Sequence, residues 1–552
     1  MLFTLHRYIL RDLLKVFLVT SVILSLVLGL GVMLRPLKQF SVDPVDVPEL
    51  LLCTLPITVT MVLPVTALLA ATLVYGRLAG DNEIVACRSS GINLLALIYP
   101  GLGLALLVGA ATLVLSFHVI PTFVARSEAI IKSNVEAIIY RNIEKMGNLG
   151  RMFPNIQIHA DRADPAHHQL FGVVVLQLDF EGIERLITAR QVSISLKEGR
   201  ETDQVGLTLY DCMMIDNENQ TRAVRSLPMS VSVPRLLGDN IKFKQYHQLK
   251  AILADMTQFA PIRVQLKELQ QRLLAERFFE ECDRQLARNG YFDLEVGDQH
   301  RLRIYAQGCQ LKAAKSRLKS LKNQLRPLKR TSADFVRREG RPIKLEYYHR
   351  INDKQPEKTY QAEEGLLTVS ASMGESRGQV SLKEVQWNYA DDDHLYHLQR
   401  ENFVGLNLPG ELVQEVEGVS LSKEVMPGKI PLKKTEPSEY LKWKFDYLRT
   451  ECRQLGVDIR AEVQARLAFG ISCVVLVLMG AALGILFRSS HLLTAFGVSF
   501  IPAVLCLITI FTGKHIAEQN PDDITMGIVF LWSGLFVVAG ATVMVYKTLL
   551  KH

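Results

Sequence analysis

Hydrophobic positions fall into two groups along this chain. Three long apolar segments lie before about residue 120 and three after about residue 463, with a polar block of about 340 residues between them. A helix rises about 1.5 Å per residue, so an apolar run of roughly 20 residues crosses a bilayer core of roughly 30 Å. The pattern predicts six membrane spans, near Leu13 to Leu34, Leu55 to Tyr75, Leu94 to Ile120, Leu467 to Phe487, Leu492 to Thr512 and Met526 to Leu549. Pro56 and Pro64 would break a soluble helix, but inside a bundle neighbouring helices and Thr hydroxyls re-satisfy the freed backbone groups. The first segment is too long for a removable signal peptide and has no small-residue cleavage site.

Inside the polar block the period changes to two. Ile156 and Ile158, then Val174, Leu176, Leu178 and Phe180, then Val192, Ile194 and Leu196, then Val205, Leu207 and Leu209 alternate with polar neighbours. Such alternation predicts antiparallel strands with one apolar face. A second stretch repeats the order: IQIHADRAD at Ile156 aligns with LRIYAQGCQ at Leu302, VVVLQLDF at Val173 with IKLEYYHR at Ile343, and the run from Arg185 with that from Lys358. Two copies of one β unit are expected, over about 150 to 235 and 298 to 416. Leu249, Ile252, Leu253, Leu266, Leu269, Leu273 and Leu274 recur at helical spacing, interrupted at Pro261, and a basic amphipathic helix is expected from 311 to 335. That basic helix fits an anionic lipid surface, an acidic partner or plain solvent, and charge runs on helices usually face water.

The resulting fold class is an α+β membrane protein, with 3+3 transmembrane helices around a large antiparallel β region interrupted by amphipathic helices. The expected divisions are 1–125, spans one to three; 126–245, a β unit; 246–297, helical; 298–425, a second β unit; 426–462, a linker; and 463–552, spans four to six.

Charge fixes the expected orientation. Arg7, Arg11, Lys15, Arg77, Arg88, Arg488, Lys547 and Lys551 all fall on one side of a six-span arrangement, while Asp43, Asp46, Glu49, Glu518, Asp522 and Asp523 mark the other. By the positive-inside rule both termini are cytoplasmic and the large block lies outside. A net charge of +7 over 552 residues suggests no nucleic-acid partner. The eight cysteines match no CxxC pair or zinc spacing. Cys212, Cys282, Cys309 and Cys452 lie in the block, and their spacing defines no pairing.

Motifs for chemistry are missing from the sequence. Gly428-Lys429 is followed by Ile430 and Gly513-Lys514 by His515, so no phosphate-cradling GxxxxGK[ST] loop exists, and neither HExxH nor GxSxG occurs. No cofactor and no enzymatic role are expected. One short segment between the second and third spans stands out, GRLAGDNEIVACRSSGIN from Gly76 to Asn93. Asp81 or Asn82 is placed to cap a two-turn helix whose first turn carries Glu83, with Gly91 as its stop. It is either an ordinary link between spans or a surface for a cytoplasmic partner.

RYILRDLLKVF at Arg7, the segment at Gly76, and EVQARLAFGISCVVLVLMGAALGILFRSS at Glu462 resemble the LptF/LptG permease family, the membrane subunits of a lipopolysaccharide-export ABC transporter. The strands LFGVVVLQLDF and LITARQVSISL resemble that family's jelly-roll. The resemblance implies a multi-pass protein of the bacterial inner membrane with a periplasmic β-jelly-roll between spans three and four. It implies as partners a cytoplasmic ABC ATPase dimer, a second LptF/LptG-type permease subunit, periplasmic bridge proteins, and lipopolysaccharide or a related lipid. ATP hydrolysis belongs to the separate ATPase.

By match to the family's coupling helix, Glu83 holds the acidic position, with Arg77, Asp81 and Arg88 around it. Arg35 and Lys38 sit where family members carry basic residues for phosphorylated sugar headgroups, and an interfacial anchor is the equal alternative. Arg466 is similarly placed, with Glu462 one turn away as a simple ion-pair partner. Ile158, Leu176, Ile194 and Leu207 are candidates to line an acyl-chain groove or to form a plain sandwich core. The middle is longer than the family's single jelly-roll, so the second β unit is expected to extend the lipid path or supplement a bridge protein. The alternative function is a membrane-anchored periplasmic scaffold without transport.

Overall fold

The computed structural model describes residues 2–40, 47–124, 126, 156–164, 167, 169–179, 182–197, 203–216, 221–233, 240–297, 299–311, 330–337, 342–351, 353–372, 375–390, 394–417, 438–487, 492–521 and 523–551. The chain divides into two compact units, Met1–Ala254 with Arg453–His552, and Asp255–Cys452.

The first unit holds the membrane helices: α1 (Leu2–Phe40), α2 (Val47–Gly80), the short α3 (Glu83–Ser89), α4 (Leu94–Val114) continued by a π-turn over Leu115–Val119, and, after the β region, the far part of a long helix, α9 (Leu492–Gln519 in the fifth span) and α10 (Ile524–Lys551). We call α8 the long helix Glu439–Leu486, whose C-terminal part is the fourth span. Among the described residues six helices are long and apolar enough to cross a membrane. α2 runs through Pro56 and Pro64, and the hydroxyls of Thr58, Thr60 and Thr66 bond back onto carbonyls of the same helix. One core joins Ile9, Leu13 and Phe17 of α1 to Leu63 and Ala67 of α2, Leu104 of α4 and Cys473, Val477 and Ala481 of α8. Val529, Phe536 and Met544 of α10 point outward, 69%, 70% and 72% exposed, as side chains facing lipid do.

Backbones in this bundle approach closely where glycine permits it. A Cβ on Gly480 would meet Leu68 O at 2.6 Å, and one on Gly484 would meet Thr72 O at 2.7 Å and Gly76 N at 2.9 Å. Gly480 and Gly484 are four residues apart and so share one face of α8, a small-xxx-small seam against α2.

The first unit also carries β1 (Ile156–Asp164), β2 (Gln169–Asp179), β3 (Gly182–Lys197), β4 (Asp203–Asp216) and β5 (Thr221–Val233), an antiparallel meander in sequence order. Its apolar face buries Ile158, Leu170, Val173, Val175, Ile187, Val192, Ile194, Leu207 and Leu209. Val173 and Val175 point into this core, whereas Leu176 is half-buried and pairs with Gln157 and Leu186 on the opposite face. At Val174 and Leu176 the expected run therefore has the wrong parity, while the side chain of Leu178 and all of Phe180 lie outside the described residues. Three consecutive valines precede Leu176, so alternation alone could not fix which side faces in. After β5 come a 3-10 turn at Ile241–Phe243 and α5 (Tyr246–Ala254).

The second unit opens with α6 (Ala260–Asn289), which has Pro261 in its first turn and Gly290 in the left-handed conformation at its end. Eight strands follow: β6 (Phe292–Val296), β7 (His300–Tyr305), β8 (Gly308–Leu311), β9 (Arg330–Val336), β10 (Ile343–Tyr348), β11 (Lys358–Ser372), β12 (Glu375–Tyr389) and β13 (Tyr396–Leu406). A short helix, α7 (Gly410–Glu417), and the N-terminal part of α8 complete it. The β10–β11 pairing closes the sheet into a barrel-like ring, and its core takes Phe278, Phe279, Cys282 and Leu286 from α6.

Two expectations for this region change. Residues 330–335, placed in the basic helix, belong to a strand in which Ala333 and Phe335 alternate inward, and 312–329 lie outside the described residues. Residues 439–462, placed in a linker, are helical. Leu441, Phe445, Leu448, Cys452, Leu455 and Ile459 recur at spacings of three and four and are all buried.

The two sheets share a pairing plan. In the first, Ile158 faces Val175, Val175 faces Ile187 and Ile187 faces Met214; in the second, Ile304 faces Leu345, Leu345 faces Tyr360 and Tyr360 faces Trp387. β7, β10, β11, β12 and β13 thus neighbour one another as β1 to β5 do. The irregularities coincide as well. Pairing steps from Ala189–Cys212 to Gln191–Tyr210 past Asp211, and from Ala362–Val385 to Glu364–Lys383 past Glu384. Both skipped residues have φ of 50°, among only three positive-φ non-glycine residues described.

Candidate functional site

The membrane unit carries a polar feature at each end of its third span. At one end α3 turns between α2 and α4. Asn82 stands at the N-cap with φ of 62°, but its side chain makes no capping bond, so the expected cap is absent. Gly91, at φ 83°, ends the turn as expected. Ile84 is buried in the bundle core, which anchors the helix by one face. Val85, Ala86, Arg88 and Ser89 are exposed, Asp81 is exposed beside them, and Glu83 is half-buried. Arg77, at the end of α2, pairs with Asp12 of α1. His6 Nε2 lies 2.8 Å from Ala96 O and Asn93 caps α4 through Leu95 N, so the start of α4 is held firmly beneath α3.

At the other end, Ser116 lies 22 residues beyond Leu94, about 33 Å along the helix. Here Arg466 of α8 is 5% exposed. Its Nε donates to Glu462 Oε1 at 2.9 Å, one Nη to Ser116 O at 3.1 Å and Lys244 O at 3.0 Å, the other Nη to Lys242 O at 2.7 Å and Ile241 O at 3.4 Å. The guanidinium lies 5.2 Å from the Phe117 ring, and Phe117 meets Tyr246 edge-on at 5.7 Å. Lys514 of α9 pairs with Glu462 and lies 3.7 Å from Glu518. Arg466 was expected either to meet a lipid headgroup or to pair with Glu462, and the pair is formed. Lys514, Ser116 and the carbonyls of 241–244 were not foreseen, although Pro121, which cannot donate to the helix before it, is a legible sign of irregular backbone there.

The remaining sequence candidates are spread out. Ile158, Ile194 and Leu207 share the buried face of the first sheet, with Leu176 on the other side. Arg35 and Lys38 fall in the last turns of α1, and their side chains lie outside the described residues. Among the described residues no group of His, Cys, Asp and Glu is arranged to hold a metal.

Six apolar helices bracketing an antiparallel β region define a multi-pass membrane protein with large β domains, and its polar sites suit protein contacts and helix fastening. A model of the lipopolysaccharide export system permease LptF/LptG family matches residues 7–288 and 309–548, nearly the whole chain, and the chain belongs to that family. Comparison with curated proteins returns no match. Family membership makes this a permease of lipopolysaccharide export and a multi-pass protein of the inner membrane.

Proposed function

We propose that this chain is driven by a cytoplasmic ABC ATPase dimer through α3, and that with a second LptF/LptG-type subunit it lifts lipopolysaccharide or a related lipid from the inner membrane into a periplasmic β path. The observation that carries this is α3 itself, anchored by Ile84 and presenting Val85, Ala86 and Arg88 outward. A seven-residue helix gains little stability of its own, so it is the packing of Ile84 into the bundle that holds its outer face ready for docking. Glu83 supplies a carboxylate for a basic residue of the ATPase, with Arg77, Asp81 and Arg88 shaping the surrounding charge.

In this reading both termini are cytoplasmic, as the basic flanks argue, and the β region is periplasmic, where bridge proteins receive the lipid. Arg35 and Lys38 meet phosphorylated headgroups, and the face of Ile158, Ile194 and Leu207 shelters acyl chains. The test is co-purification and lipid release with Glu83→Ala and Glu83→Arg. Glu83→Arg is expected to lower ATPase association by about tenfold, equal to about 1.4 kcal/mol of lost charge-assisted bonding. A scaffold without transport would be indifferent to both substitutions, and that result would end the proposal.

A further inference from the structure

Arg466 sits on a defect that the sequence builds into the third span. In a regular helix the Ser116 carbonyl would accept from the N–H of Ile120. The π-turn redirects Ile120 N to Leu115 O, and the residue that would serve Ser116 in π register is Pro121, which has no N–H. Arg466 supplies the missing donor. A guanidinium has five N–H groups, and each has a partner here: Glu462, Ser116, Lys244, Lys242 and Ile241. None is left for a lipid phosphate. Three of the five hold the strap of residues 240–246, which follows β5 in the chain after residues 234–239. Glu462 then ties the fork to Lys514 on the fifth span.

We propose that Arg466 is a clasp: it fastens the strap behind the first sheet to the third, fourth and fifth spans, so that movement of the spans is carried into the sheet. This rests on the reading of the chain as an ATPase-driven permease, in which Arg466 is a positioning residue and not a headgroup ligand. The planar fork is essential to it. Lysine keeps the charge but has three donors on one atom, so it cannot serve the five acceptors spread around the fork.

The test uses the full chain in nanodiscs, comparing wild type with Arg466→Lys and Arg466→Gln by hydrogen exchange. Amides of residues 241–246 are expected to exchange at least about tenfold faster in both variants, while amides in the cores of the spans keep their protection. In the second arm the complex with its ATPase and companion permease is reconstituted in vesicles of phosphatidylethanolamine and lipopolysaccharide. Lipid released per ATP hydrolysed is expected to fall about fivefold or more, with hydrolysis itself retained. Wild-type strap exchange in Arg466→Lys, or release and hydrolysis falling in proportion, would overturn the clasp. If Arg466→Gln fails to assemble, Arg466→Lys alone decides. Should the wild-type complex release no lipid, the permease reading fails, and the exchange arm still judges the clasp.

Discussion

Single residues in the second unit show how environment sets charge behaviour. Glu346 is 8% exposed, and burial by itself would raise its pKa. Lys344 at 2.7 Å and the hydroxyls of Tyr348 at 2.7 Å and Tyr305 at 3.0 Å outweigh that and hold it below the ordinary glutamate range. The same environment pushes the Tyr348 hydroxyl up to about 12, chiefly through burial and then through its bond to Glu346. A carboxylate lowered in the folded state stabilises above its unfolded pKa, and the gain is lost as pH falls through the folded value. Glu346→Gln is therefore expected to lower the melting temperature at pH 7. The gap from wild type should narrow as the pH drops below about 4, which thermal scans across pH will check. A gap that widens in acid would contradict the assigned charge state. Lys344 and Tyr348 flank Glu346 at a spacing of two on β10 and so share its face, whereas Tyr305 is brought to it only by the β7–β10 pairing, which the sequence does not show.

Among elements, the membrane helices were the most legible and their seams the least. Length and hydropathy alone identify a span, because lipid imposes one requirement on every residue of it. Which face meets which neighbour depends on where side chains are missing, as along Gly480 and Gly484. Gly484→Val places carbon against the backbone of Thr72 and Gly76, which cannot yield, and should cost about 3 kcal/mol or more. Gly103→Ala in α4 has nothing within 4 Å and should be neutral or favourable by up to about 1 kcal/mol. Retention of a monodisperse, protease-resistant chain in detergent separates the two. Strand parity was illegible for β2 because Val173, Val174 and Val175 are all apolar. The start of α8 was missed because its stripe from Leu441 to Ile459 carries many charges on the other face.

At the scale of the molecule, separate cores predict separate melting. The second unit closes around Phe278, Phe279 and the barrel interior, and the first sheet around Leu170, Val175 and Ile187. Calorimetry is expected to show more than one transition, with Glu346→Gln moving only that of the second unit. A single transition shifted as a whole would argue for one cooperative body. The six-span layout was plain from the sequence, whereas the second sheet was legible only in part, since its strand at Arg330–Val336 lay within the expected basic helix. What alternation could not show is the kink at Asp211 and Glu384. A left-handed backbone at a residue with a Cβ costs about 1 kcal/mol, so substitution by glycine at either site should leave stability equal or higher, whereas valine should lower it, in the same calorimetric experiment. Neither site has become glycine. Several side chains around the kink differ between the two sheets, Cys212 against Val385 and Tyr210 against Lys383, yet both ladders carry the fault. The fault thus has the same make-up in each sheet: an acidic residue held left-handed, next to a rung that carries an alanine.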